Sequence, residues 1–516
     1  MPYLSKSLFI SALTLLTALP SLAQEPSRLV IVDANGDRGV LAPFLHQQRG
    51  PGYLYTTYVF DSLIDQSVTG ELVPGLAQSW SCAEDGVTCE IEIDPAARWH
   101  DGERLTAADV AFTFDYMAAH PYTWVSTANV ASAEALSDET VRVVLKGRDA
   151  SFLTSTLVGL PILPRHIYEG VDAPEQFTDA SATVGSGPYR LVSFDKAQRR
   201  YLLEANADYL HGKPAFDQVA IVEMVPEAAI EAVKAGNADI IADLPFDLID
   251  KAKEAGLNVT TAASNHPVRL GFNHHGLFAD VTLRQAMAHA LDREALVDIA
   301  FHDAAVVAEV GFFQAGSPWA NSAGVPAYGH DMDKAEQLFS DSGWARGGDG
   351  AWMRDGEPVV LRLITDRSLS NAAVVLADLL EQSGISLDVQ VMEVAALQEA
   401  VKAGDYDLTL FATSTLGDPG GIARRVLTPV WNSDAFPDSD GSLKNLLDAQ
   451  AMAIDSDERQ AILQQFQVHY AQLLPSLMLA NPIWASAYND KAEPHFLPDG
   501  VAIGIPSALH KSMFLR

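Results

Sequence analysis

Val268-Arg269-Leu270-Gly271-Phe272-Asn273-His274-His275 and, after a short loop, Thr282-Leu283-Arg284-Gln285-Ala286-Met287-Ala288-His289-Ala290-Leu291-Asp292-Arg293-Glu294-Ala295-Leu296 decide the reading of this chain. The first run has the short apolar-plus-polar make-up of a strand. In the second the period changes, because Leu283, Ala286, Met287, Ala290 and Leu291 fall on one face of a helix. Asp280 stands where an N-cap serves that helix, and Asp292 is placed to cap a second through Ala295, Leu296 and Phe301. A strand feeding a helical hairpin near the middle of a 516-residue chain predicts a crossover into a second lobe.

At the start of the chain, Lys6, the mostly apolar run Leu8 to Leu19 and Ser21-Leu22-Ala23 have the order of a secretory signal with its cleavage site, over residues 1–23. No cysteine follows that site and no later run approaches a membrane span, so the expectation is an exported protein with no lipid anchor and no membrane insertion. About 490 mature residues exceed one hydrophobic core, and two or three domains are expected. The 67 acidic against 34 basic residues, a formal charge of −33, speak against nucleic acid or an anionic membrane surface as partner. Cys82 and Cys89 bracket Ala-Glu-Asp-Gly-Val-Thr, with Asp85-Gly86 as the turn of a hairpin, and an exported chain predicts that they pair.

Several runs resemble those of one family. They are the asparagine-ending strand and Arg-Gln-Ala helix quoted above, Leu72-Val73-Pro74-Gly75-Leu76-Ala77, and Arg98-Trp99-His100-Asp101-Gly102 with Thr106-Ala107-Ala108-Asp109. Val184-Gly185-Ser186-Gly187-Pro188-Tyr189, Asn206-Ala207-Asp208-Tyr209 and Ala235-Gly236-Asn237-Ala238-Asp239 continue the series. Together the chain resembles the large extracytoplasmic solute-binding proteins of ABC importers, family 5, which serve oligopeptides, dipeptides and nickel chelates. That resemblance implies an α/β, two-lobed periplasmic-binding-protein-like fold with mixed β-sheets and a ligand cleft between the lobes. It also implies a periplasmic monomer that needs no cofactor and docks on ABC permease subunits.

Beyond the crossover, helical and strand patterns alternate from Asp333 to Phe411, which predicts parallel βαβ units. A further helix covers Asp457 to Leu474, and the chain is expected to return to the first lobe near Asn481. The expected division is lobe one at 24–267, with a subdomain at about 70–180, plus 482–516, and lobe two at 268–481.

No nucleophile elbow, zinc-protease motif, phosphate loop or dinucleotide fingerprint occurs. An exported hydrolase is therefore the reading from another class, behind solute binding. By resemblance, ligand contacts come from three places: the early loop from Gly50 (Tyr53, Tyr55), the crossover strand and the residues after it (Asn273, His274, Phe312, Phe313), and the loop Thr413 to Pro419 (Thr413, Thr415, Asp418). Trp124, close to Tyr122, is a candidate aromatic wall. His274-His275 invites a metal or metal-chelate reading, but neighbours on a continuous strand face opposite sides, and the expected set has no metal ligands. Many peptide binders of the family hold an ammonium with an aspartate shortly before Gly-Asp-Pro. Here Thr415 stands there before Gly417-Asp418-Pro419, leaving Asp418 as a substitute anchor or an Asx-type turn stabiliser. Arg424 and Arg425 are placed to meet a carboxylate, so the expected solute is a peptide or a peptide-like or opine-like molecule.

Overall fold

The structure, a computed structural model, describes residues 26–515 except 35, 48–51, 303, 430–433 and 502–503. The signal sequence and the loop positions Gly50 and Pro51 lie outside the described residues.

Two sheets share one long strand. In the first lobe Arg28–Asp33 lies parallel to Gln218–Glu223 and to Ile240–Leu244. Arg200–Ala205 and Tyr189–Asp195 extend that sheet as antiparallel neighbours. In the second lobe Val360–Asp366 runs parallel to both Ser386–Met392 and Leu408–Ala412, and Leu408–Ala412 is antiparallel to Val268–Phe272. The shared strand is Ser476–Tyr488. Its first half pairs with Val268–Phe272 and Ala305–Val307, its second half with Asn258–Ala263 and Ile240–Leu244. Two connections therefore join the lobes, residues 264–267 in one direction and 480–484 in the other. Each lobe has its own apolar interior, one built on Leu29, Ile31, Val219 and Ile221, the other on Leu270, Leu363, Leu408 and Leu477.

The quoted stretch forms as its pattern predicts. All five residues of Val268–Phe272 are buried. Asp280 accepts a hydrogen bond from the Thr282 amide at 2.8 Å and opens the helix Val281–Ala290, while Asp292 accepts from the Ala295 amide at 2.9 Å and opens Arg293–Phe301. Each cap satisfies an amide that has no partner inside its helix, an effect of about 1 kcal/mol.

A satellite sheet of Ala77–Cys82, Thr88–Ile93, Thr140–Leu145 and Val130–Ala135 carries the helix Ala107–Ala119. Thr106 donates its amide and hydroxyl to the Asp109 carboxylate at the start of that helix. Cys82 and Cys89 are directly opposite in the hairpin and form a disulfide. The turn between them is held by Asp85, whose carboxylate accepts from the Val87 and Thr88 amides, and by Gly86 at φ +70°. The C-terminal segment returns to the first lobe, where Lys511 is buried between Asp61 and Asp65 at 2.8 and 3.0 Å.

Candidate ligand-binding site

The loop Thr413–Asp418 leaves the strand Leu408–Ala412 at the level where the two connections cross. Thr415 donates its amide and hydroxyl to the Asn265 carbonyl at 2.7 and 3.1 Å, and Asn481 donates to the Asn265 side chain. Thr415 is thereby spent on holding the loop to the connection. The loop also meets the first lobe: the Ser414 hydroxyl donates to the Gly504 carbonyl. Gly504 has φ +95°, and a Cβ there would stand 2.7 Å from Leu416 backbone atoms, so the close approach requires glycine.

Asp418 is a buried ion with all its acceptor sites taken. Arg459 grips it through two hydrogen bonds of 2.9 and 2.6 Å, with both side chains under 5 % exposed (4 % and 3 %). The Thr154 hydroxyl of the first lobe donates to one oxygen at 2.5 Å and the Gly420 amide to the other at 2.7 Å. The Gly420 contact is the turn-stabilising bond that the sequence offers as one alternative. The other, an anchor for a ligand ammonium, would have to displace a fork-to-fork arginine contact. Arg459 also reaches the Ala150 carbonyl, so the pair bridges the lobes. Asp499 lies nearby with a buried carboxylate oxygen lacking a partner, and burial followed by the charge of Asp418 pushes its carboxyl up to about 6.

On the same loop two arginines converge without an acid. Arg269, 2 % exposed, donates to the Thr413 carbonyl at 3.3 Å and lies over the Phe312 ring at 5.1 Å, and its Nε has no acceptor. Arg425 donates through Nη1 to the carbonyls of Ser414 (2.9 Å) and Leu416 (3.4 Å). Burial, then the charges of Arg269 and Arg424, lower the Arg425 guanidinium to about 10. Burial chiefly, aided by Arg269 and Arg425, pushes His266 down to about 4, and its ring stacks on Trp484. The buried hydroxyl of Thr413 also lacks a partner.

The first lobe supplies an aromatic wall. Tyr53 stacks on Trp124 with ring centres 5.1 Å apart, and its hydroxyl donates to the Gly159 carbonyl. Tyr122 closes the group by donating or accepting at His46 Nε2, 2.9 Å away. Phe44, His46, Tyr122 and Trp124 line a first-lobe cavity of about 280 Å³, which Tyr53 does not reach, and the Trp124 indole N–H has no acceptor.

The remaining residues singled out by sequence sit elsewhere. Tyr55 is in the first-lobe interior and donates to Asp33. Asn273 spends its amide on the Gly404 and Tyr406 carbonyls, and His274 is buried edge-on to Phe436 with Nε2 at the Pro475 carbonyl. The strand ends at Phe272, so His274 and His275 part by a turn rather than by strand alternation, and His275 meets Asp434 at the surface. Phe312 and Phe313 belong to the interior packed under the helices Ile422–Leu427 and Ser456–Leu473. Arg424 is exposed. Sequence reasoning misses Arg269, His266, Trp484 and Arg459. For Arg269 a signal exists, a charge inside an otherwise apolar strand. Arg459 has none, being one of several charges on a polar helix start. Among the described residues no three or more His, Cys, Asp or Glu side chains converge as a metal site.

Residues 71–432 match the model of the bacterial extracellular solute-binding proteins, family 5, middle part. Over 438 residues the chain is 28 % identical to the oligopeptide-binding protein AppA of Bacillus subtilis, spanning 80 % of this chain and 78 % of that one. The fold is similar to NikA from Brucella suis solved with Fe(III)-EDTA, with a TM-score of 0.78, 21 % identity and 92 % and 98 % of the two chains covered. It is also similar to AgaA from A. tumefacien R10 solved with agropinic acid, with a TM-score of 0.71, 20 % identity and 93 % and 97 % covered. The two joined sheets, the paired connections and the match over most of the length lead to one conclusion: the chain belongs to the bacterial extracellular solute-binding proteins, family 5.

Proposed function

We propose that this chain is the exported substrate-binding subunit of an ABC importer, capturing a peptide or a peptide-like or opine-like solute and handing it to a membrane permease. The observation that carries this reading is the contact region between the lobes. Only two chain connections join the lobes among the described residues, and loop 413–418 meets the first lobe across the space between them. Lobe one comprises 24–267 and 482–516, and lobe two 268–481. Signal cleavage near Gln24 delivers a periplasmic monomer.

Peptide recognition is supported by the 28 % identical oligopeptide-binding relative. The full engagement of Asp418 favours a solute that does not depend on that carboxylate for a free N-terminal ammonium. The aromatic wall at Tyr53 and Trp124 suits a flat or apolar portion of the solute. A metal chelate is the second reading, favoured by the arginines, since chelates such as the Fe(III)-EDTA of the NikA neighbour are anionic. Native mass spectrometry of the mature chain as purified tests the reading. A retained organic solute in the peptide or opine range supports it. A retained metal complex selects the second reading. A chain that retains nothing and binds no member of a peptide and opine panel by calorimetry contradicts both.

A further inference from the structure

We propose that Arg269 and Arg425, with the Thr413 hydroxyl, form a receiving site for a carboxylate of the bound solute. The inference rests on the solute-binding reading and names the chemistry of one part of its site.

The chain holds 67 carboxylate side chains against 34 lysines and arginines, so a buried arginine has an abundance of available counterions. Arg38, Arg459 and Lys511 take them in the interior. Arg269 and Arg425 do not: among the described residues neither forms an ion pair, and the charged groups acting on Arg425 are two further arginines. Holding two guanidiniums together beside a neutral imidazole is costly without an anion. The backbone carbonyls of Thr413, Ser414 and Leu416 take only Nη2 of Arg269 and Nη1 of Arg425, and among the described residues the neutral Tyr470 hydroxyl is the one side-chain acceptor that supports the Arg269 charge. Arg269 Nε and the Thr413 hydroxyl remain as buried donors without acceptors. Buried polar groups are nearly always satisfied, and two orphans, Arg269 Nε on the strand and the Thr413 hydroxyl on the loop, beside the Arg425 cation point to the missing partner. It is negative, rich in acceptors and planar enough for a guanidinium fork, which describes a carboxylate. His266 adds no charge near neutrality, because its imidazole is held at about 4.

Differential scanning fluorimetry of the stripped mature chain at pH 7 tests this, with sodium succinate compared against sodium chloride at equal ionic strength. Succinate is expected to raise the midpoint by about 2 °C or more, as binding to the folded state alone stabilises it. Arg425→Gln should abolish the difference, while Arg424→Gln, at an exposed position on the same helix, should keep it. Arg269→Met supplies a readout that a merely structural arginine would not give. It should raise the midpoint of the free chain, by removing an uncompensated buried charge, and at the same time lose the succinate response. No succinate-specific shift in the wild type, or a shift that survives both Arg425→Gln and Arg269→Met, overturns the proposal. So does an Arg269→Met chain that is less stable yet responds fully to succinate. Because succinate is a simple probe, such failures leave the importer reading standing, and an empty mass spectrum leaves a succinate response standing.

Discussion

Asp418→Asn separates a structural ion from a ligand anchor. The substitution keeps the size of the side chain and an acceptor for Thr154, but it removes the charge that faces Arg459 through bonds of 2.9 and 2.6 Å. Breaking one partner of a buried pair costs about 3–5 kcal/mol, since the other charge stays uncompensated. Arg459 keeps Gln450, at 3.1 Å, and the face of Trp319, at 5.0 Å, which places the loss near the lower end, about 3 kcal/mol. At about 2–4 °C per kcal/mol for a lobe of this size, the midpoint of thermal unfolding should fall by roughly 6–12 °C. The assay is circular dichroism melting of the stripped chain, with Arg459→Met and the double variant alongside. The double variant should recover most of the loss, because the two effects are coupled through one contact. A midpoint within about 1 °C of the wild type, accompanied by loss of the retained solute, would refute the reasoning and return Asp418 to the role of anchor.

Replacing Cys82 and Cys89 by serine should cost about 2–3 kcal/mol, seen in denaturant titration, and the unreduced wild type should show no free thiol on labelling under denaturing conditions. Lys511→Met should cost about 3–5 kcal/mol at pH 7 by leaving Asp61 and Asp65 buried without their cation. Burial alone would raise the Asp65 carboxyl, but Lys511 and His510 hold it well below the usual range. Its contribution is therefore present above about pH 4 and lost on acidification, so the gap between wild type and Lys511→Met should narrow as pH falls. Asp499 has the opposite sign. With its carboxyl raised to about 6, its stabilising contribution is full below the unfolded value near 4 and is lost as pH rises through 6. Asp499→Asn should gain about 1–2 kcal/mol at pH 8, discounted for its partial exposure, and nothing at pH 4.

Local patterns carry most of the fold in the sequence. The caps at Asp280 and Asp292, the Asp85-Gly86 hairpin and the alternation of strands and helices from Met332 to Ala412 are each dictated by residues close in the chain. The site is less legible because its decisive contacts are distant. The sequence leaves Asp418 as either a ligand anchor or a turn residue; its bond from the Gly420 amide, two positions on, is the turn contact, while Arg459 is 41 positions away on the helix Ser456–Leu473. Strand alternation does not apply at His274 and His275, because the strand stops at Phe272, yet one of them packs and the other is exposed. Aromatic type does not separate wall from interior, as Phe312 and Phe313 show beside Trp124. Arg269 is readable in principle, because a lone charge within Val-Arg-Leu-Gly-Phe must be either paired or awaiting a partner.

The central claim is that two lobes close over a solute, and small-angle X-ray scattering tests it most directly. The chain is stripped by unfolding and refolding, then measured before and after return of the solute released from the purified protein. The radius of gyration is expected to be smaller with solute bound, because a ligand touching both lobes shifts the population toward the compact form. An unchanged radius at saturation would contradict it.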